Sequence, residues 1–435
     1  MNTVSDKLGL WEAVALAVGS MIGASIFSIF GLGAQIAGHD LPLVFVLSGL
    51  LAFLVAYSYA HLGARIVSNA GPMEFILRGM GDGVVTGALS ILTWLTYVVS
   101  IALFAKGFTG YFLPLVGLGD TPVNRALTEA GLIGFFTALN FFGSRTVGRA
   151  EFVIVLVKVA VLGLFVALGI WSVRPEWIRP SFEAAQGPRL LDATAVFFLS
   201  YMGFGLITNA SENIRDARRN VSRAIYLSIA IVTLIYISVA VVAVGNLPLE
   251  ELERARDFAL AEASRPFLGH FGYVLVSVGA LFSIASAMNA TLYGGANIAY
   301  ALARKGELPG VFERKSWFSA PEGLYITSGL GLLFALLFNL NGIASITSAV
   351  YMVIYLFVIW SHYRLAGKYG GNRPFLLFAL VAVMVIFGVL LHYQWQTNRM
   401  AFHATWITFL TTLGVELIYR RITRRTLSRR LTASS

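Results

Sequence analysis

Apolar stretches long enough to cross a bilayer recur along the whole chain, and they decide what it can fold into. A crossing helix needs ~20 mostly apolar residues, and 57% of the 435 residues are hydrophobic while 12% are charged. A soluble protein could not hide so much apolar surface from water, so lipid must surround most of the chain. Because lipid offers backbone groups no hydrogen-bond partner, we predict an all-α membrane protein with about twelve transmembrane helices. The predicted spans lie near residues 11–36, 42–63, 84–112, 127–142, 150–173, 191–211, 222–246, 273–302, 324–340, 343–366, 374–393 and 401–420.

Basic residues are concentrated in alternate connections between these spans. With the N-terminus in the cytoplasm, most of the 32 lysines and arginines fall on the cytoplasmic side, as the positive-inside rule requires. We therefore predict a multi-pass protein of the cell membrane with both termini in the cytoplasm. The basic tail, residues 421–435, is interpreted as a topology anchor, with binding to anionic lipid as the alternative. The polar segment 249–269 is expected to form a surface helix or a cap.

Several classes of function are disfavoured by what the chain lacks. It has no cysteine, and its six histidines are scattered without the spacing of metal ligands. It carries neither a nucleophile elbow nor a phosphate-binding loop. Positive-inside sorting accounts for the net charge of +10 without nucleic acid. We therefore expect no metal, no cofactor, no nucleic-acid partner and no enzymatic activity.

Two of the apolar spans are weakened near their centres by glycine. The first contains Gly19, Gly23 and Gly31, and the sixth contains Gly203 and Gly205. Glycine interruptions in corresponding positions of two halves are typical of secondary transporters with inverted repeats, whose binding site lies at the breaks. The alternative is close helix packing, because Gly19 and Gly23 form a GxxxG pair. We favour the binding site because the second interruption occurs in register with the first.

Three motifs carry a resemblance to a known family. They are "GSMIGASIF" in the first span, "SENIRDARRNVSRAI" after the sixth and "GANIAYALARKGELP" at the end of the eighth. The chain resembles the amino acid–polyamine–organocation permeases over essentially its whole length. The resemblance implies a five-plus-five inverted repeat (a LeuT-like fold) with helices 1 and 6 unwound and two further C-terminal helices. It divides the chain into a first repeat (1–173), a second repeat (174–366), two added helices (367–420) and a basic cytoplasmic tail (421–435).

The same resemblance implies where a substrate would bind. The substrate carboxylate would lie near main-chain amides of the first break, and its amine near carbonyls of the second break. Phe204 and other aromatic side chains would act as gates. The implied substrate-binding residues are Met21, Ile22, Gly23, Ala24, Ser25, Ser200, Tyr201, Gly203 and Phe204.

Two lysines lie inside apolar spans. Lys106 is near the end of the third span, where its long side chain can reach the headgroups. Lys158 lies well inside the fifth span, where a cation costs about 2.5–3.5 kcal/mol even on lenient scales. A buried lysine relieves this cost by releasing its proton, which makes Lys158 a candidate for proton coupling. The alternative is a permanently charged structural lysine.

Resemblance to archaeal proton-coupled, broad-specificity members of the family places their functional lysine at Lys158. Its expected partners are main-chain carbonyls of the first span and hydroxyls of the eighth, namely Gly19, Ile22, Ser283 and Ser286.

The function expected from these features is proton-coupled symport of amino acids with broad specificity, by alternating access. Amino acid, protons and the lipid bilayer are the expected partners, and the sequence leaves the oligomeric state open. An exchanger of amino acids or polyamines that is independent of sodium is the alternative within transport. A membrane receptor without transport activity and a membrane-embedded enzyme are the rivals from other classes.

Overall fold

Helices carry almost the whole of the described chain, since lipid leaves the backbone no other way to satisfy its polar groups. The structure, a computed structural model, describes residues 7–68, 70–140, 147–178, 186–304, 308, 310–314 and 322–423, with the side chains of all but residues 24, 147–153, 186 and 423. The α-helices are α1 (Leu10–Met21), α2 (Ala24–Ser28), α3 (Phe30–Ala37), α4 (Leu41–Gly63), α5 (Pro72–Met80), α6 (Val84–Leu115), α7 (Pro122–Leu139), α8 (Val147–Gly169), α9 (Gln186–Phe197), α10 (Leu206–Asn209), α11 (Ala217–Asn246), α12 (Leu249–Ala255), α13 (Ala259–Glu262), α14 (Arg265–Arg304), α15 (Glu322–Leu337), α16 (Leu340–Tyr369), α17 (Arg373–Thr397) and α18 (Arg399–Thr423). Short 3-10 helices cover Gly38–Asp40, Ile170–Ser172, Pro175–Ile178, Phe198–Gly205, Ser211–Asn213, Arg256–Phe258 and Gly310–Glu313.

The prediction of an all-α membrane protein is confirmed, although two of the predicted spans are less clear than the rest. Ten stretches of the described residues are long and apolar enough to cross a membrane. The fourth and ninth predicted spans correspond to α7 and α15, which are only 18 and 16 residues long. Both pack against α6 and α14, and α7 carries polar residues in its first half. They therefore belong to the same helical bundle without meeting the criterion for a span by themselves.

The two ends of this bundle differ in character. One end carries Lys7, Arg65 and the start of α6, where Asp82 accepts a hydrogen bond from Arg420 of α18. We call it the basic end. The other, the capped end, carries Asp120 and the connection between α11 and α14. Helix α1 begins and α18 ends at this basic end, and the cytoplasmic location of the termini stays a prediction.

Interruptions are present in both of the helices in which the sequence predicts them, but they take different forms. The first helix ends at Met21 and resumes at Ala24, and a second irregularity at Ile29 separates α2 from α3. In the sixth span the chain does not open into a loop. It tightens instead into a 3-10 helix over Phe198–Gly205 between α9 and α10. In a 3-10 helix each amide donates to the carbonyl three residues earlier rather than four. The carbonyl groups therefore point in other directions than they would in an α-helix.

The polar segment after α11 forms the expected cap. It consists of α12, the 3-10 helix Arg256–Phe258 and α13, and it packs on α3. The contact is close enough to require glycine, because a Cβ on Gly31 would lie 2.0 Å from the carbonyl oxygen of Arg256. A Cβ on Gly110 of α6 would lie 2.3 Å from Cβ of Asp257. The cap therefore closes one end of the bundle over the second half of the broken helix.

An ion pair ties this cap to α7. Arg125 donates a hydrogen bond to Asp257 Oδ2 at 3.1 Å and also bonds both oxygens of Asp120, its neighbour in the chain. Burial raises the pKa of Asp257 above its usual value, while Arg125 opposes that rise. The hydrogen bonds from Arg125 lower the pKa of Asp120. The cap thus holds a largely buried carboxylate whose hydrogen-bonded partner is Arg125, with Arg256 adding positive charge nearby.

Substitution of Arg125 and substitution of Asp257 should affect the cap differently. Arg125→Gln takes away the hydrogen-bonded partner of the Asp257 carboxylate, which is the costly case, whereas Asp257→Asn removes the charge. We expect a cysteine placed at the buried Ala259 to react with maleimide several-fold faster in Arg125→Gln than in Asp257→Asn. Since the chain has no cysteine of its own, the rate reports on the cap alone.

The pH dependence gives an internal control for the same pair. Because burial raises the pKa of Asp257 in the closed cap, protons bind the closed form more tightly than the open form. Because maleimide labelling slows in every variant as the thiolate is protonated, the two variants are compared at the same pH. As the pH falls through the pKa of Asp257, the ratio of the Arg125→Gln rate to the Asp257→Asn rate should fall towards one. Equal rates for the two variants at neutral pH would show that the ion pair does not hold the cap.

Candidate functional site

The C-terminal end of α1 is held by side chains from three other helices. A helix leaves its last carbonyl groups without partners, and here three of them accept hydrogen bonds from outside the helix. The carbonyl of Gly19 accepts from Lys158 Nζ of α8. The carbonyl of Met21 accepts from Tyr236 Oη of α11 at 2.6 Å, and that of Ile22 accepts from Ser283 Oγ of α14 at 2.9 Å. The break is therefore stabilised by donors on helices that lie on different sides of it.

Lys158 is buried, with 1% of its surface exposed, and it points at the negative end of the α1 dipole. Its approach depends on the absence of a side chain at Gly19, where a Cβ would lie 2.3 Å from Val155 Cγ2 of α8. Of the expected partners of Lys158, Gly19 accepts its hydrogen bond. Ser283 donates to the neighbouring carbonyl of Ile22. Ser286 is buried three residues further along α14.

The two breaks touch each other at Gly203. A Cβ at this position would lie 2.6 Å from the main-chain nitrogen of Met21 and 2.7 Å from Ser20 Oγ. Only glycine lets the 3-10 segment approach α1 this closely. Gly205 is different, since the nearest atom to a Cβ there is Tyr59 Cε1 at 3.6 Å. Of the two glycines, Gly203 sets the contact between the breaks.

Tyr236 links the two breaks and is a residue that the sequence reading missed. Its hydroxyl donates to the carbonyl of Met21 and lies 3.3 Å from both the carbonyl of Ser200 and the hydroxyl of Ser25. Its side chain is fully buried. The sequence feature that could have identified Tyr236 is its place in the middle of an apolar span, because a buried phenolic hydroxyl needs a hydrogen-bond partner.

A cavity of about 230 Å³ opens beside the two breaks. It extends from Gly23 and Ser200 towards the basic end, where Pro72 and Asn209 line it. Every described side chain in its lining is neutral. The lining combines main-chain groups with hydroxyl, amide and aromatic side chains, including Ser20, Tyr59, Thr96, Tyr97, Ser100, Phe104, Thr291, Tyr351 and Tyr355. A small zwitterion would find polar partners here without meeting an ionised side chain.

The predicted substrate-binding residues divide into two groups. The ones that line the cavity are Met21, Gly23, Ser25, Ser200 and Gly203. Ser200 Oγ has no hydrogen-bond partner among the described residues, although it is buried. The residue Ala24 begins α2, and its side chain is not among those described. Ile22 lies at the break, but its carbonyl is bound to Ser283 rather than facing the cavity.

Tyr201 and Phe204 point away from the cavity. The Tyr201 hydroxyl donates to the carbonyl of Phe45 at 2.8 Å. Phe204 packs behind two lining residues, with ring centroids 5.2 Å from Tyr59 and 5.8 Å from Tyr355. A gating role for Phe204 would therefore act through these tyrosines, which the sequence reading did not single out.

The sequence predicts that Lys106 reaches the headgroups, but in the structure it forms an ion pair. Its Nζ lies 2.9 Å from Glu129 of α7, and the two side chains are only 12% and 1% exposed. The pair lies near the capped end, on the wall of a second cavity that also contains Arg125 and Asp257. The sequence feature that could have identified this partner is Glu129 itself, an acidic residue in the short and less apolar fourth span.

Comparison with known proteins decides the family. The sequence profile of the amino acid permeases matches residues 8–415. The chain belongs to the amino acid permease family. The permease is 58% identical over 435 residues to the uncharacterized protein MJ0609 of Methanocaldococcus jannaschii, with 100% of both chains covered. It is 33% identical to the inner membrane transport protein YbaT of Escherichia coli (97% and 98% covered) and 27% identical to the methylthioribose transporter of Bacillus subtilis (98% and 95% covered).

The contact between the breaks predicts different effects for two glycine variants of the permease. Gly203→Ala forces a methyl group against the backbone of α1, and such overpacking typically costs about 1–3 kcal/mol. We expect it to lower the melting temperature of the purified protein, measured by tryptophan fluorescence. Gly205→Ala, which meets only an ordinary contact, should melt close to the wild type. An equal shift in both variants would contradict the close approach at Gly203.

Proposed function

We propose that the permease is a proton-coupled amino acid symporter of broad specificity that works in the cell membrane by alternating access. The observation that carries the proposal is the hydrogen bond from the buried Lys158 to the carbonyl of Gly19, at the end of a broken helix. That carbonyl belongs to the same helix end as Met21 and Gly23, which line the cavity. A proton on Lys158 therefore acts on the backbone beside the substrate.

The coupling follows from what the proton does to this contact. The ammonium form of Lys158 donates a charge-assisted hydrogen bond and interacts favourably with the carbonyl end of α1. The neutral amine has no charge and is a weaker donor. Protonation thus holds α1 against α8, and release of the proton towards the basic end loosens α1 so that substrate leaves.

The proposed pose of the substrate uses both breaks. Its carboxylate lies near main-chain amides between Met21 and Ser25, and its amine near carbonyls around Ser200, Tyr201 and Gly203. Five of the predicted residues line the cavity, and the buried hydroxyl of Ser200 supports a polar ligand there. The closed cap and the cavity directed towards the basic end correspond to the state that releases substrate into the cytoplasm.

Uptake by proteoliposomes tests the role of Lys158. We expect wild-type uptake of labelled alanine and serine to grow several-fold with an inward proton gradient. In Lys158→Ala this dependence should disappear, because no group then converts a proton into a force on α1. Exchange against amino acid inside the vesicle should persist in the variant, which distinguishes lost coupling from lost folding.

Lys106→Arg serves as the matched control, since it changes the other lysine of an apolar span and keeps its charge. It should retain the gradient dependence. If wild-type uptake ignores the gradient but requires internal amino acid, the permease is an exchanger and Lys158 is structural. If labelled amino acid is bound but never enters, the receptor hypothesis is favoured.

The neutral lining predicts which amino acids compete for uptake. A cationic side chain or a second ammonium group would lose its hydration without gaining an ionised partner. Alanine, serine and larger neutral amino acids should therefore compete with labelled alanine, whereas lysine and the polyamine putrescine should compete at least tenfold less well. Equal competition by putrescine would contradict the proposed site and favour the polyamine exchanger. Methylthioribose belongs in the panel because of the name of the Bacillus subtilis relative.

A further inference from the structure

A third cavity, of about 610 Å³, lies at the basic end outside the substrate path. We call it the basic pocket. Ala60 of α4 and Ala64, which directly follows that helix, form part of its wall, together with polar side chains. These are His61 and Arg65 of α4 and its continuation, Arg218 and Ser222 of α11, and Tyr369 of α16. Neither an aspartate nor a glutamate is present among the described residues of its lining.

The two arginines of the pocket are available to a ligand. Arg78, Arg125, Arg265 and Arg420 each form an ion pair with a carboxylate. In the described part of the chain, neither Arg65 nor Arg218 has a carboxylate within 4 Å. Arg65 uses one nitrogen to donate to the carbonyl of His61 at 3.1 Å, which orients the guanidinium and leaves its other donors free.

Tyr369 completes the donor set. Its hydroxyl accepts a hydrogen bond from Arg78 Nη1 at 3.2 Å, so its own proton is left to donate. Lys368 adds positive charge nearby, with Nζ 5.4 Å from the centre of the Tyr369 ring. Guanidinium and hydroxyl donors around a cavity without carboxylates are suited to a phosphate group.

The depth of the pocket points to a lipid as the source of that phosphate. It lies where three apolar spans reach the same end of the bundle, since α4 ends at Gly63, α11 begins at Ala217 and α16 ends at Tyr369. This is the level of the headgroups. Basic pockets between transmembrane helices on the cytoplasmic side are known to bind anionic headgroups.

We propose that the basic pocket binds the phosphate of an anionic lipid headgroup and so braces α4 against α11 and α16. The position has a consequence for the substrate cavity, because Tyr59 lines that cavity while its neighbour Ala60 lines the basic pocket. The headgroup and the substrate therefore lie on opposite sides of one helix. Lipid in the pocket restrains a wall of the substrate cavity from behind.

The test counts phosphatidylglycerol molecules bound to the detergent-solubilised full chain by native mass spectrometry, with phosphatidylcholine as the neutral reference. We expect the wild type to prefer phosphatidylglycerol. The double variant Arg65→Gln/Arg218→Gln should bind it roughly 25-fold more weakly, from two side chains worth about fivefold each. The control Arg174→Gln/Arg399→Gln removes the same charge at the capped end and should bind it like the wild type.

Each other outcome overturns the proposal. Equal binding by the two double variants would show that the pocket is not the site. Displacement of phosphatidylglycerol by inorganic phosphate at the same free concentration would show that the pocket takes soluble phosphate rather than lipid. Because binding is measured without transport, neither result depends on whether the permease is a symporter.

Discussion

The structure depends on how the carbonyl groups at the end of α1 are satisfied within the membrane. A helix that stops in lipid exposes acceptors that nothing nearby can pair, at a cost of several kcal/mol each. Here Lys158, Tyr236 and Ser283 supply the missing donors from three helices. The break is possible only because these helices surround it. Conversely, α1 cannot move without exchanging at least one of these hydrogen bonds, so its position is sensitive to the state of each donor.

Close packing at two glycines places these donors and the cavity within reach of one another. Gly19 lets α8 approach until Lys158 meets the carbonyl, and Gly203 lets the 3-10 segment rest on Met21. The cavity beside them is neutral and directed towards the basic end, while the cap covers the opposite end. Substrate binding and proton binding are thereby proposed to act on the same few atoms of backbone. In the proposed mechanism, this proximity lets a proton on Lys158 act on the backbone beside the substrate.

Much of the fold could be predicted because lipid imposes a simple rule on composition and length. The spans, the two interrupted helices and the cap at 249–269 all follow from apolar length, glycine and charge. Of the site, only the main-chain groups at the two breaks could be predicted. Tyr236, Tyr59 and Tyr355 were missed because an aromatic residue in an apolar span gives no sign of the direction it faces. The resemblance implied Phe204 as a gate, whereas its ring packs behind Tyr59 and Tyr355. The Lys106–Glu129 pair was missed because it joins residues on different helices.

The central claim is that amino acid and proton cross together through this site. Proteoliposomes that contain a pH-sensitive dye, with no gradient imposed at the start, measure it directly when alanine is added outside. If the two cross together, alanine acidifies the lumen in the wild type, and Lys158→Ala exchanges labelled alanine without any change in internal pH. Uptake of alanine by the wild type with no acidification would contradict the claim, since the proton would then have no part in transport.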